Sequence, residues 1–160
     1  DEKDVAAGDE GEIRIQGPNV MAGYWNLPQE TKAVFDEKGF FRTGDMGRID
    51  SDGHLFITGR IKEMMIISGE NVFPREIEEV LDLHPSVKAS AVIGMPDESR
   101  GELPIAFVEL KEGESFDEVA LRTWCRENLA QFKVPREIRL LDPLPRNPTG
   151  KIMRRSLKIA

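Results

Sequence analysis

Gly59–Arg60–Ile61–Lys62–Glu63–Met64–Met65–Ile66–Ile67 is the stretch on which the architecture turns. Before it the chain is punctuated strand. Glu12–Ile13–Arg14–Ile15–Gln16 alternates polar and apolar residues, the period of a half-buried strand. Asn26–Leu27–Pro28–Gln29–Glu30–Thr31 is a turn entering a short helix that runs through Val34–Phe35. Phe40–Phe41–Arg42 is a short strand running into a tight turn at Thr43–Gly44–Asp45. Ser51–Asp52–Gly53 is an Asp-Gly hairpin signal between Arg48–Ile49–Asp50 and His54–Leu55–Phe56–Ile57. After Gly59 the texture changes. Met64–Ile67 is strand-like, and Pro74 has the fixed φ that suits a first helical turn. Ile77, Val80 and Leu81 recur at helical spacing with glutamates opposite, and Pro85 closes that helix. Ala89–Ile93 and Ile105–Leu110 read as strands. Ser115 and Glu118 form a capping box for a helix whose apolar stripe is Leu121, Trp124, Cys125 and Leu129. Glu137–Leu141 alternates again after Pro135. The prediction is α+β in two parts. Residues 1–59 are strand-rich; residues 60–160, roughly 100 residues with a modest core, are a small mixed sheet with packed helices.

Composition narrows the functions. The chain has 160 residues, 39% hydrophobic and 32% charged, the balance of a globular domain rather than a disordered or membrane-embedded one. No apolar run approaches the roughly 18 residues that span a bilayer. A net charge of −7 argues against a nucleic-acid binder held by phosphate contacts. One cysteine, Cys125, excludes an internal disulfide and any zinc site built on two cysteines, and fits a reducing, cytoplasmic setting. The first residue is Asp1 rather than Met, as expected of a piece of a longer protein.

Three local features carry chemistry. Lys151 follows Pro148–Thr149–Gly150, a turn that presents its ammonium at a loop tip, where it suits a phosphate or carboxylate. Arg154, Arg155 and Lys158 make the surrounding tail basic; the ordinary alternative is a solvated terminus. A phosphate-binding P-loop is rejected, since the positions that need Gly and Ser or Thr hold Pro145 and Ile152. Asp45 just past a glycine turn can accept two hydrogen bonds from ribose hydroxyls; an ordinary turn aspartate is the alternative. Arg60 and Lys62 at the change of texture are linker charges or an anion clamp. His54 and His84 have no partner at metal-ligand spacing, so no metal site is expected. Cys125 reads as a packed core thiol, and Tyr24 and Trp25 as buried aromatics rather than a stacking platform.

Read together, four blocks bear a family resemblance. They are Gly11–Gly17 with Gly23–Tyr24–Trp25–Asn26; Phe41–Arg42–Thr43–Gly44–Asp45; Gly59–Glu63 continuing through Gly69–Glu78; and Leu144–Pro145–Arg146 with Gly150–Lys151–Ile152. In that order and spacing the chain resembles the C-terminal third of the adenylate-forming superfamily, and within it the acyl-CoA synthetases that act as fatty-acid–CoA ligases. The resemblance implies an enzyme that joins a carboxylic acid to MgATP as acyl-AMP. A small C-terminal domain then rotates, and the acyl group passes to the thiol of CoA. It implies that residues 1–59 end the large domain as part of its β-barrel, and that residues 60–160 are the mobile domain.

The roles implied are specific. Asp45 matches the aspartate that holds the adenosine ribose hydroxyls, and Arg60 an arginine on the same nucleotide. Lys62 matches the hinge, Gly69 the loop lining the pantetheine tunnel, and Lys151 the lysine between acid and α-phosphate during adenylation. Ile66 and Ser68 depart from relatives that carry lysines there. The family's phosphate loop and acyl pocket lie upstream of these residues, so the expected partners are the rest of the large domain, ATP with Mg2+, a carboxylic acid and CoA, and the chain alone is expected to be inactive. Asn71–Val72–Phe73–Pro74 resembles fatty-acid members. The alternatives are an aryl- or amino-acid-activating enzyme of the same superfamily and a non-catalytic partner-binding domain.

Overall fold

The computed structural model describes residues 3–157. The chain divides into two compact units, one ending at Lys62 and the other starting at Glu63, three residues beyond the sequence-based boundary.

The first unit is a three-stranded antiparallel sheet in the order β1 (Gly11–Ile15), β2 (Phe41–Ile49), β3 (Leu55–Arg60), with helix α1 (Pro28–Val34) between the first two strands. The Asp-Gly signal closes the β2–β3 hairpin, where Asp50 Oδ1 accepts the N–H groups of Asp52 and His54 at 2.9 and 2.8 Å. One expectation is corrected: no turn ends the strand at Thr43–Gly44–Asp45, and β2 continues through it for nine residues. Glu12 faces Met46 while Arg14 faces Arg42, so Ile13 alone opposes Thr43, Gly44 and Asp45. The glycine therefore serves a bulge, with φ +70 at Gly44. Thr43 Oγ1 bonds it in place, donating to the Ile13 carbonyl at 2.7 Å and accepting the Asp45 N–H at 3.0 Å.

Among the described residues of this unit no hydrophobic side chain is fully buried; the buried core begins at Met65. Trp25 is 89% exposed and Tyr24 is also exposed, so neither is the buried aromatic expected from sequence. Ile49, Leu55, Phe56 and Ile57 are about half exposed on the β2–β3 ribbon.

The second unit has a five-stranded sheet: β4 (Met65–Ile67), β5 (Glu70–Val72), β6 (Val87–Asp97), β7 (Gly101–Leu110) and β8 (Glu137–Leu140). The order is β5–β4–β7–β6, and β8 pairs with β7 in parallel while the other pairs are antiparallel. Helices α2 (Pro74–Asp82) and α3 (Glu118–Asn128) complete an α+β unit. Alternation along β7 builds two cores. Ala106, Val108 and Leu110 belong to the cluster holding Ile77 and Leu81 of α2 and Leu121 and Cys125 of α3. Ile105 and Phe107 belong to another, closed by Leu144 and Leu157 of the C-terminal segment.

Pro74 opens α2 as expected, and Glu76 Oε1 accepts the Phe73 N–H at 3.2 Å. Glu78 does not join the other glutamates in solvent: it is 8% exposed. Ser115 does not cap α3. Asp117 does, accepting the Ala120 N–H at 3.0 Å, because the helix begins at Glu118 and a first-turn glutamate there cannot reach back as a capping box requires. Trp124 Nε1 donates to the Val80 carbonyl at 2.8 Å and ties α3 to α2.

Cys125 is fully buried, and burial pushes its thiol up to about 11. At pH 8 it will stay unmodified by an aromatic disulfide reagent while the chain is folded, and will react promptly once urea unfolds it. Fast labelling in native buffer would show that α3 opens readily.

Candidate active site

The bulge in β2 sets up the first cluster. Register places Asp45 opposite Arg60, the last residue of β3. Arg60 Nε meets Asp45 Oδ1 at 2.7 Å, with Asp45 about a quarter exposed and Arg60 about half. One carboxylate oxygen is therefore engaged, and Oδ2 has no bonded partner among the described residues. Such an arrangement, a carboxylate oriented by a guanidinium with one oxygen open, can accept hydrogen bonds from neutral hydroxyls. A cleft of about 430 Å3 lies in this unit, lined by Glu12, Tyr24, Gly44, Arg60 and Lys62 among others. Lys62 itself is exposed, in the single 3-10 turn Ile61–Glu63. It is the last residue of the first unit.

Gly69 belongs to the second unit. With Ser68 at φ +55 and Gly69 at φ +87 it makes the two-residue turn joining β4 to β5, where Ile67 pairs with Glu70. Both central residues are left-handed, as a type I′ hairpin requires. A Cβ at Gly69 would meet nothing within 4 Å, so backbone conformation rather than space asks for glycine.

Lys151 is held by its loop and not by its side chain. Arg146 and Ile152 form an antiparallel bridge that pins the loop's base. Asn147 Oδ1 accepts three bonds, from Thr149 N–H at 3.1 Å, Thr149 Oγ1 at 2.8 Å and Lys151 N–H at 2.9 Å. Arg146 spans from the Gly150 carbonyl, 3.2 Å, to Glu109 Oε2, 3.3 Å. Glu109 is 2% exposed. The Lys88 ammonium, the Leu144 N–H and Arg146 hold its carboxyl below the usual range. The Lys151 side chain projects from this scaffold, exposed, with no partner among the described residues. A free ammonium on an ordered loop is poised for an anion that arrives from outside.

Some of the site escaped the sequence. Asn147, Arg146 and Glu109 organise the lysine loop; only Asn147 had a local signal, an Asn-Pro-Thr-Gly turn. Arg100, Arg122, Arg126 and Arg136 line a second cleft of about 480 Å3 together with Phe132 and Leu103. Their sole sequence cue is the spacing of Arg122 and Arg126, one turn apart on α3. In the basic tail Lys151 and Arg155 are exposed, and one member is not a solvated charge. Arg154 pairs with Glu63 and Glu78 rather than with solvent; Lys158 lies outside the described residues.

Asp50, Asp52 and His54 bring ligand atoms within 4.8 Å of one another, a grouping that His54 was not expected to have. Asp50 already accepts two turn N–H groups, which hold its carboxyl below the usual range, so the grouping is accounted for as a hairpin cap. No helix among the described residues is long and apolar enough to cross a membrane.

Residues 76–151, ending on Lys151, match the AMP-binding enzyme C-terminal domain. The chain is 48% identical over 158 residues to 2-succinylbenzoate–CoA ligase of Geobacillus kaustophilus, covering 99% of this chain and 32% of the relative. It is 44% identical over 157 residues to sulfoacetate–CoA ligase of Cupriavidus necator, covering 98% and 31%. Among solved structures it resembles o-succinylbenzoate CoA synthetase of Bacillus subtilis in complex with the acyl-adenylate OSB-AMP, with TM-score 0.89, 37% identity, and coverage of 98% of this chain and 32% of that one. The chain thus spans about a third of the length of the curated relatives it matches.

Proposed function

Since the chain belongs to the adenylate-forming superfamily through its AMP-binding enzyme C-terminal domain, we propose that the whole protein is an AMP-forming acid–thiol ligase. A carboxylate oxygen attacks the α-phosphorus of ATP, pyrophosphate leaves, and acyl-AMP forms. The thiol of CoA then attacks the acyl carbon and AMP leaves. The observation that carries this reading is the free ammonium of Lys151 on its bonded loop, at the end of the matched domain.

Two anions meet in the first step, and an ammonium between them offsets their repulsion in the transition state. Mg2+ enters with ATP as part of the substrate. Asp45, oriented by Arg60, takes the ribose hydroxyls. Lys62 is the hinge on which residues from Glu63 onward turn. Gly69 lies beside the pantetheine arm of CoA in the second step. The arginine-lined cleft around Phe132 suits the phosphates of CoA and gives its ring an apolar wall. Residues up to Lys62 are the end of a larger domain. Among the described residues of that unit no hydrophobic side chain is fully buried, which supports this, because a three-stranded sheet without a covered apolar face does not stand alone. The single buried thiol suits the cytoplasm. The acid is a fatty acid on the strength of Asn71–Val72–Phe73–Pro74; the relatives named for 2-succinylbenzoate and sulfoacetate make shorter or aromatic acids the competing choice.

The test is acid-dependent exchange of pyrophosphate into ATP. The full-length protein will catalyse it with at least one acid from a panel of fatty, aryl and sulfonated carboxylic acids. The isolated 160-residue chain will show none above background, since it lacks the remainder of the large domain. Turnover by the isolated chain would remove the two-domain reading; failure of the full-length protein with every acid would favour a non-catalytic binding domain.

A further inference from the structure

Arg154 sits at the centre of a closed ionic cluster. Its Nε and Nη2 grip the two oxygens of Glu78 at 3.0 and 2.6 Å, and its Nη1 donates to Glu63 Oε2 at 3.0 Å. Glu78 Oε1 also accepts the Val92 N–H at 2.7 Å. Within the second unit the cluster therefore joins Glu63 to α2, β6 and the C-terminal segment. A forked guanidinium–carboxylate pair fixes distance and orientation together, unlike an exposed lysine pair that breaks and reforms.

Its place along the chain gives it a role. Glu63 directly follows Lys62 and is the first residue of the second unit. Arg154 lies three residues after Lys151. The Met153 N–H between them donates to the Pro145 carbonyl at 2.8 Å, which binds this segment to the far side of the lysine loop. Leu157 behind it is buried with Leu144. An unbroken chain of bonds thus runs from Glu63, through Arg154 and Met153, to the loop that carries Lys151.

We infer that Arg154, which on the ligase reading above acts through Lys151, is a positioning residue for the adenylation step. Its guanidinium makes the start of the second unit and the lysine loop one stiff piece, so that rotation at Lys62 delivers the ammonium to a reproducible place. Catalysis by a charged group is sensitive to such placement, since misplacement of about 1 Å costs on the order of a hundredfold. Removing the tie should therefore cost the first half-reaction and spare the second, in which the lysine takes no part.

The deciding variant is Glu63→Ala in the full-length enzyme, which removes the acceptor of the Arg154 Nη1 bond. Glu63 is partly exposed, and the Glu78–Arg154 fork stays whole, so the fold is kept. Arg154→Lys, which keeps the charge and loses the fork, is the companion. Two readouts are needed: hydrogen exchange of the backbone amides of residues 146–153, and single-turnover rates of the two half-reactions. In Glu63→Ala the loop amides will exchange faster and acyl-AMP formation will fall about tenfold with the acid KM unchanged. Transfer from supplied acyl-AMP to CoA will stay within about twofold, and Glu63→Asp will recover part of the loss. Unchanged exchange, faster exchange with normal adenylation, or equal loss of both half-reactions would each overturn the assignment. A wild-type enzyme that forms no acyl-AMP would sink the ligase reading instead. The exchange measurement decides the tie independently of that outcome.

Discussion

Replacing Lys151 with alanine in the full-length enzyme will lower the rate of acyl-adenylate formation by about 10²–10³, the scale of losing one preorganised electrostatic donor. The loop around it will not move. Its geometry comes from Asn147, which accepts the Thr149 and Lys151 backbone N–H groups, and from Arg146, anchored on buried Glu109. None of these bonds uses the lysine side chain, so the variant isolates the charge. Transfer of the acyl group from supplied acyl-AMP to CoA will stay near the wild-type rate, because that step needs no cation between two anions. Single-turnover measurement of each half-reaction separates the outcomes. If adenylation survives, or both steps fall together, the ammonium does not hold the α-phosphate and the solvated-terminus reading returns. Substitution by arginine will rescue little, since a rigid planar fork is a poor substitute for a compact ammonium on a flexible stem.

The complementary result is expected at Lys62. Lys62→Pro will leave acyl-AMP formation within a few-fold of wild type and lower thioester formation by about tenfold or more, as fits a step gated by a conformational change. The residue occupies a single 3-10 turn and its side chain is exposed, so the ring meets little steric opposition. Proline holds φ near one value, and a hinge residue must change φ and ψ to let the second unit turn. The same two assays read it. Loss of both half-reactions to the same degree would mean that Lys62 serves as a ligand or a structural residue. Together the two variants predict opposite halves of the reaction to fail, a pattern that general destabilisation cannot produce.

Most elements were legible because their signals are local. Pro74 opens α2, Ser51–Asp52–Gly53 turns the β2–β3 hairpin, and Leu121 with Cys125 marks the buried face of α3. The lysine loop belongs with them, since its turn is closed by residues within four positions of one another. Expectations failed where the outcome depended on a remote partner. Thr43–Gly44–Asp45 has turn composition, yet the Ile13 carbonyl opposite it holds a bulge inside a continuous strand. That bulge, and not a turn, sets Asp45 against Arg60. Trp25 was expected inside and is almost wholly exposed, in a unit whose described residues include no fully buried hydrophobic side chain.

Charge shows the division most clearly. Helical spacing placed Glu78 in solvent with its neighbours, and composition made Arg154 part of a basic tail. The fold joins them across 76 positions and adds Glu63 from 91 positions away. By itself the sequence determined the periodicities, the turn chemistry and the order of motifs, which are set by interactions among residues a few positions apart. Only the tertiary structure decided which charges are spent on each other and which, like the ammonium of Lys151, stay free. A side chain's electrostatic partner is chosen by proximity in space, and chain separation carries no record of it.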